Sequence, residues 1–100
     1  MTPEGKVKAV VKERLRCAGA YYHMPVQNGM GAPTLDIVGS HLGRYFAIET
    51  KAPGGKPTPR QEDTIDRIRI SGGKVFVIDG SDFSELDKWL GDDGRQMNLF

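Results

Sequence analysis

Three residues in the middle of this 100-residue chain have types and spacing suited to chemistry. Asp36 lies in the short apolar run Leu35-Asp36-Ile37-Val38, and Glu49 and Lys51 close the next run, Tyr45-Phe46-Ala47-Ile48-Glu49-Thr50-Lys51. The turn-rich stretch Gly39-Ser40-His41-Leu42-Gly43-Arg44 between them reads as a hairpin loop joining two strands. Residues two apart on a strand face the same side, so Glu49 and Lys51 project together. Two carboxylates and an ammonium converging on one point are what metal-assisted phosphodiester cleavage requires. Carboxylate oxygens are hard ligands suited to Mg²⁺ or Mn²⁺, which polarise phosphate and water. The ammonium can orient that water or offset charge in the transition state. The plainer alternative is a sheet salt bridge from Lys51 to the acids.

Charge is unevenly distributed along the chain. Residues 1–60 carry nine Lys/Arg against only Glu4, Glu13, Asp36 and Glu49, a net of +5. Residues 61–100 carry five against nine, a net of −4. Half of the acids in the basic part thus belong to the proposed cluster, a pattern that suits a polyanionic substrate and a metal.

The length allows one domain with a modest core. The charged fraction, 27%, is ordinary for a globular chain. No run is long and apolar enough for a membrane span, and no signal-peptide core opens the sequence, so an intracellular, cytoplasmic setting without membrane contact is expected. The single cysteine, Cys17, excludes an internal disulfide and reads as a small hydrophobe. Two histidines and one cysteine do not make a structural zinc site.

The elements that must position the cluster follow from periodicity and caps. Thr2, Pro3 and Glu4 open a helix on which Val7, Val10, Val11 and Leu15 recur, and Gly19 stops it. Its other face is basic. Ala20–Pro25 reads as a short strand, residues 26–33 as a loop, and 34–38 and 44–51 as the paired strands. Residues 52–59 hold three prolines and two glycines and read as a loop. A helix then runs from Thr58 or Pro59 through Ile65 and Ile68 to Gly72. Lys74–Ile78 is a buried strand, and Ser81 or Asp82 caps a last helix with Phe83, Leu86, Trp89 and Leu90 inward. Gly91-Asp92-Asp93-Gly94 is expected to break that helix, leaving residues 92–100 as a flexible tail after a domain of residues 1–91. The order, α-β-β-β-α-β-α, predicts an α/β fold: a small mixed β-sheet flanked by helices. Its first strands are antiparallel, and the last is parallel to the one carrying Glu49.

That order resembles the PD-(D/E)XK nuclease superfamily. Gly31-Ala32-Pro33, Glu49-Thr50-Lys51-Ala52-Pro53-Gly54, Pro59-Arg60-Gln61 and Gly72-Gly73-Lys74-Val75-Phe76-Val77 narrow the likeness to stand-alone VRR-NUC domains of phages and bacteria. The resemblance covers roughly residues 4–90. It implies that Asp36 and Glu49 bind Mg²⁺ or Mn²⁺, that the Thr50 carbonyl adds a ligand, that Glu4 completes the cluster and that Lys51 is catalytic. It also implies that Gln61 supports the site and approaches the scissile strand. One departure is visible: Thr34 and Leu35 separate Pro33 from Asp36, where many relatives have proline directly before the aspartate. The activity implied is a metal-dependent DNA endonuclease acting on branched DNA such as four-way junctions, as a homodimer. A non-catalytic DNA-binding or clamp-binding adaptor on the same fold is the alternative.

Other features weigh less. Lys56 and Arg60 are candidate phosphate contacts or ordinary loop charges. His41 reads as a loop residue rather than a base, and Tyr21-Tyr22 as core or sheet surface rather than a base-stacking platform. Gly54-Gly55-Lys56 is not a phosphate loop, because Pro57 stands where Ser/Thr is required. Gln96-Met97-Asn98-Leu99-Phe100 resembles the motif by which bacterial replication and repair proteins bind the sliding clamp. Leu99 and Phe100 would be the apolar anchors, Gln96 the polar edge and Met97 the aliphatic position. Packing of these residues on the protein's own core is the alternative.

Overall fold

The computed structural model describes residues 1–27 and 31–97, with side chains described as far as residue 91. Helix α1 (Pro3–Ala18) starts as its sequence dictates: Thr2 Oγ1 accepts the Gly5 N–H at 3.0 Å, with Pro3 and Glu4 in the first turn. It stops at Gly19, whose φ of 78° is the left-handed conformation that glycine adopts freely. Strands β1 (Tyr21–His23), β2 (Ile37–His41) and β3 (Arg44–Thr50) follow, then α2 (Pro59–Ile70), β4 (Lys74–Ile78) and α3 (Ser84–Met97).

The sheet runs β1-β2-β3-β4. The first two pairings are antiparallel and β3 pairs with β4 in parallel, so the mixed α/β sheet and its element order are as the sequence implies. Period-two alternation divides β3 between two cores. Phe46 and Ile48 join Val7, Val11, Leu15, Ile37, Phe76, Ile78, Leu86 and Leu90 beneath α1 and α3. Ala47 joins Leu35, Val38, Ile65 and Val75 beneath α2. Arg14 of α1 pairs with Asp87 of α3 and lies over the Phe83 ring at 4.6 Å, tying the two helices together.

Four local expectations change. Residues 39–41 are strand, and the hairpin turn is only Leu42-Gly43, with φ of 52° and 85°. Both signs suit the two-residue hairpin turn whose twist matches the strands. Gly39 is strand because it pairs with Tyr22 of β1 and Phe46 of β3, and β1 lies so near that a Cβ there would be 2.0 Å from the Tyr21 carbonyl oxygen. His41 is accordingly no loop residue but a buried strand residue, 4% exposed, with Nε2 3.1 Å from the Leu90 carbonyl. Cys17 is exposed rather than packed as a small hydrophobe. It stands two residues beyond Leu15, which puts it about 200° around the helix from the buried stripe.

The tail also differs. The backbone stays helical through Gly91-Asp92-Asp93-Gly94 to Met97. Glycine weakens a helix interior by about 1 kcal/mol without terminating it, and Arg, Gln and Met are good helix formers. Gln96 and Met97 therefore end α3, while Leu99 and Phe100 lie outside the described residues. Tyr21 and Tyr22 split between the faces, Tyr22 packing on the larger core and Tyr21 exposed. Among the described residues no helix is long and apolar enough to cross a membrane.

Candidate active site

Antiparallel register brings the two acids together. Ile37 lies opposite Ile48, so Asp36, one residue before β2, falls opposite Glu49. The two residues between Pro33 and Asp36 do not displace it, because Leu35 is fully buried beneath α2 and anchors the approach to the strand. Asp36 Oδ2 accepts two bonds from Thr50, the backbone N–H at 3.1 Å and the hydroxyl at 2.8 Å. Thr50 is itself completely buried, so Asp36 is fastened to the end of β3. Sequence reasoning gave Thr50 only a carbonyl role and missed this clamp. The signal was a hydroxyl residue between the acid and the lysine, facing the opposite side of the strand.

Glu49 is 3% exposed. Gln61 Nε2 donates to its Oε2 at 2.9 Å, and the Lys51 ammonium lies 3.4 Å from the same oxygen. Burial pushes the Glu49 carboxyl above the usual range and the negative charge of Asp36 adds to that; Lys51 and the Asp36 N–H pull it back, leaving it raised. Lys51 stands at the same face because it is two residues on, and its N–H donates to the Ile78 carbonyl at 2.9 Å, continuing the ladder with β4.

The α2 cap sets the orientation of Gln61. Thr58 Oγ1 accepts the Gln61 N–H at 3.2 Å, and Gln61 Oε1 accepts the Thr58 N–H at 3.0 Å, a reciprocal capping box. With its oxygen committed to the cap, the amide turns its NH₂ toward Glu49. One side chain thus starts the helix and holds the carboxylate. Beside it, a cleft of about 300 Å³ is lined by Gln27, Pro33, Thr34, Arg60 and Gln61. Lys56, in the loop between Lys51 and α2, and Arg60 are both exposed.

Glu4 stands on a different element from these residues. It is half-buried in the first turn of α1, and among the described residues no three His, Cys, Asp or Glu side chains gather closely enough to hold a metal ion. The structure therefore brings Asp36, Glu49, Lys51, Thr50 and Gln61 together.

The fold has a close counterpart among solved structures. A "VRR_NUC domain" superposes with a TM-score of 0.70 and 26% identity, covering 91% of this chain and 97% of that one. In sequence the chain is 33% identical over 79 residues to "Putative nuclease p44" of Acyrthosiphon pisum secondary endosymbiont phage 1, spanning 79% of this chain and 84% of that protein. The chain belongs to the VRR-NUC nuclease family. No protein-family model matches it. As a VRR-NUC nuclease it carries its acid pair and lysine where β2 and β3 meet the first turn of α2, at one end of the sheet.

Proposed function

We propose that this VRR-NUC protein is a divalent-metal-dependent DNA endonuclease that cuts branched DNA, four-way junctions among its substrates, as a homodimer. The observation that carries the reading is the convergence of Asp36, Glu49 and Lys51, with Gln61 holding Glu49. Asp36 and Glu49 fit a hard cation: they bring two carboxylates together against one ammonium, and both burial and Asp36 disfavour the ionised Glu49. A second positive charge would relieve that imbalance. Asp36, Glu49 and the Thr50 carbonyl would hold it, with Glu4 of the first helix completing the set. Bound there, Mg²⁺ or Mn²⁺ supplies Lewis-acid polarisation of phosphate and water.

The chain's own groups do the rest. Thr50 fixes the Asp36 carboxylate, and Gln61 fixes that of Glu49. Lys51 orients the attacking water and offsets charge building on the phosphate. Lys56 and Arg60, on the basic 1–60 part of the chain, contact flanking phosphates. A 100-residue chain has little surface for selecting DNA, and two copies provide two sites and a wider basic face. Gln96, Met97, Leu99 and Phe100 bind a bacterial sliding clamp, which raises the local enzyme concentration on DNA.

The test is incubation of the purified protein with a four-way junction and with linear duplex, with and without Mg²⁺ or Mn²⁺. Cleavage of the junction that needs the ion is expected. Junction binding without cleavage under any divalent ion would favour the adaptor alternative. Equal cutting of linear duplex would remove the branched-substrate part of the reading.

A further inference from the structure

The loop leaving the proposed site is held from the far side by Asp79. Lys51 donates its N–H to Ile78, the last residue of β4, and Asp79 comes next. Asp79 Oδ2 accepts the Gly54 N–H at 3.1 Å. Its Oδ1 accepts the Ser81 N–H at 3.0 Å and the Ser81 hydroxyl at 2.7 Å. Three donors thus fix one carboxylate, and the carboxylate fixes the loop. Between Lys51 and Gly54 the chain turns back on itself: Gly55 N–H donates to the Ala52 carbonyl at 2.8 Å, with Gly54 at φ 81°. The turn lies close beside the lysine. A Cβ added at Gly55 would lie 3.2 Å from Lys51 Cβ and 3.0 Å from the Ala52 oxygen. The Lys51 side chain is 15% exposed.

We propose that Asp79 is a positioning residue for cleavage, acting through the Ala52–Gly55 turn to hold the Lys51 ammonium at Glu49. A lysine has a flexible four-carbon stem, and its head stays at one oxygen only if the other rotamers are closed off. The turn narrows the space beside the stem, and Asp79 keeps the turn in place. Displacement of such a group by about 1 Å can cost on the order of 10²-fold in rate. The inference rests on the proposed role of Lys51, and its test carries one readout that does not depend on that role.

The test compares wild type, Asp79→Ala and Asp79→Asn by thermal melting, by kcat and KM for junction cleavage, and by ¹H–¹³C NMR of the Lys51 ε-methylene. The Lys51 signal is assigned from Lys51→Arg. Asp79→Ala is expected to lower kcat by about 10-fold or more with KM held within about twofold, as for a misplaced group. The two inequivalent Lys51 ε-protons should merge toward one averaged position. Asp79→Asn keeps the size and one acceptor oxygen, so it should lose less, and it carries the test if Asp79→Ala does not fold. An unchanged kcat with unchanged Lys51 signals, or a rise in KM alone, overturns the proposal. A wild type that cleaves no DNA defeats the functional reading instead, and the Lys51 signals then decide the bracket alone.

Discussion

The two faces of the sheet are built from the same strand and do opposite things. Beneath α1 and α3, Phe46 and Ile48 sit in a cluster of ten buried apolar residues, with Trp89 edge-on to Phe46 and Phe76 at 5.8 and 5.7 Å. The buried polar ring there, His41, has a nitrogen at the Leu90 carbonyl. Beneath α2 the cluster has five residues, and β3 runs out from under it. Ala47, Glu49 and Lys51 share that face, and the chain's apolar contribution gives way to charge within two residues. The larger face therefore supplies the stability that lets the smaller one carry a buried carboxylate whose ionised form is disfavoured. The proposed chemistry sits at the margin of the thin core, where burial raises the pKa of Glu49 and the Lys51 side chain keeps some exposure.

Breaking the thick face should affect folding alone. Phe46→Ala should cost about 3–5 kcal/mol, through lost burial and the cavity left behind. Urea denaturation measures it, and cleavage per folded molecule should not change. His41→Ala should cost less, about 1–3 kcal/mol, for an unsatisfied Leu90 carbonyl and lost ring packing, again without a catalytic effect. Should either variant lose activity while folded, the division between the faces fails.

Changes on the thin face should move stability and activity differently. Gln61→Ala removes half of the capping box and the donor to Glu49. It should lower stability by about 1 kcal/mol and slow cleavage as well, which a melt and a rate measurement separate. Glu49→Gln should go the other way in stability. Its folded carboxyl lies above the ordinary value, so the stability it contributes is present at low pH and lost as pH rises through the folded pKa. The amide variant should thus melt higher than the metal-free wild type at neutral pH and lose that advantage below about pH 4, where the carboxyl is protonated in both states. Adding Mg²⁺ should raise the melting temperature of the wild type and not of the variant.

Much of this was legible in the sequence because it is written locally. Thr2-Pro3-Glu4 and Thr58-Pro59 with Gln61 announce two helix starts, and Lys74–Ile78 announces a buried strand. The acid pair follows from one hairpin, since period two and register leave Glu49 and Lys51 no other face. What escaped was set by distant packing. Gly39–His41 looked like a loop because glycine and serine favour turns, and only pairing with β3, joined at Gly39 and Ser40 by β1, makes them strand. His41 looked incidental because its partner, Leu90, is 49 residues away. Asp79 carried no signal in the sequence, because the Gly54 N–H it accepts lies 25 residues away across a parallel crossover. Gly91 and Gly94 read as a helix break on propensity, although a helix tolerates them.

The central claim is that Asp36, Glu49 and Lys51 on the α2 face form one metal-dependent hydrolytic site. Its most direct measurement is single-turnover cleavage of a four-way junction in Mg²⁺ by wild type and by Asp36→Asn, with folding of both confirmed by melting. Metal-dependent cleavage by the wild type and a loss of at least about 10²-fold in the variant, with DNA binding retained, is the predicted result. Undiminished metal-dependent cleavage by folded Asp36→Asn protein would contradict it.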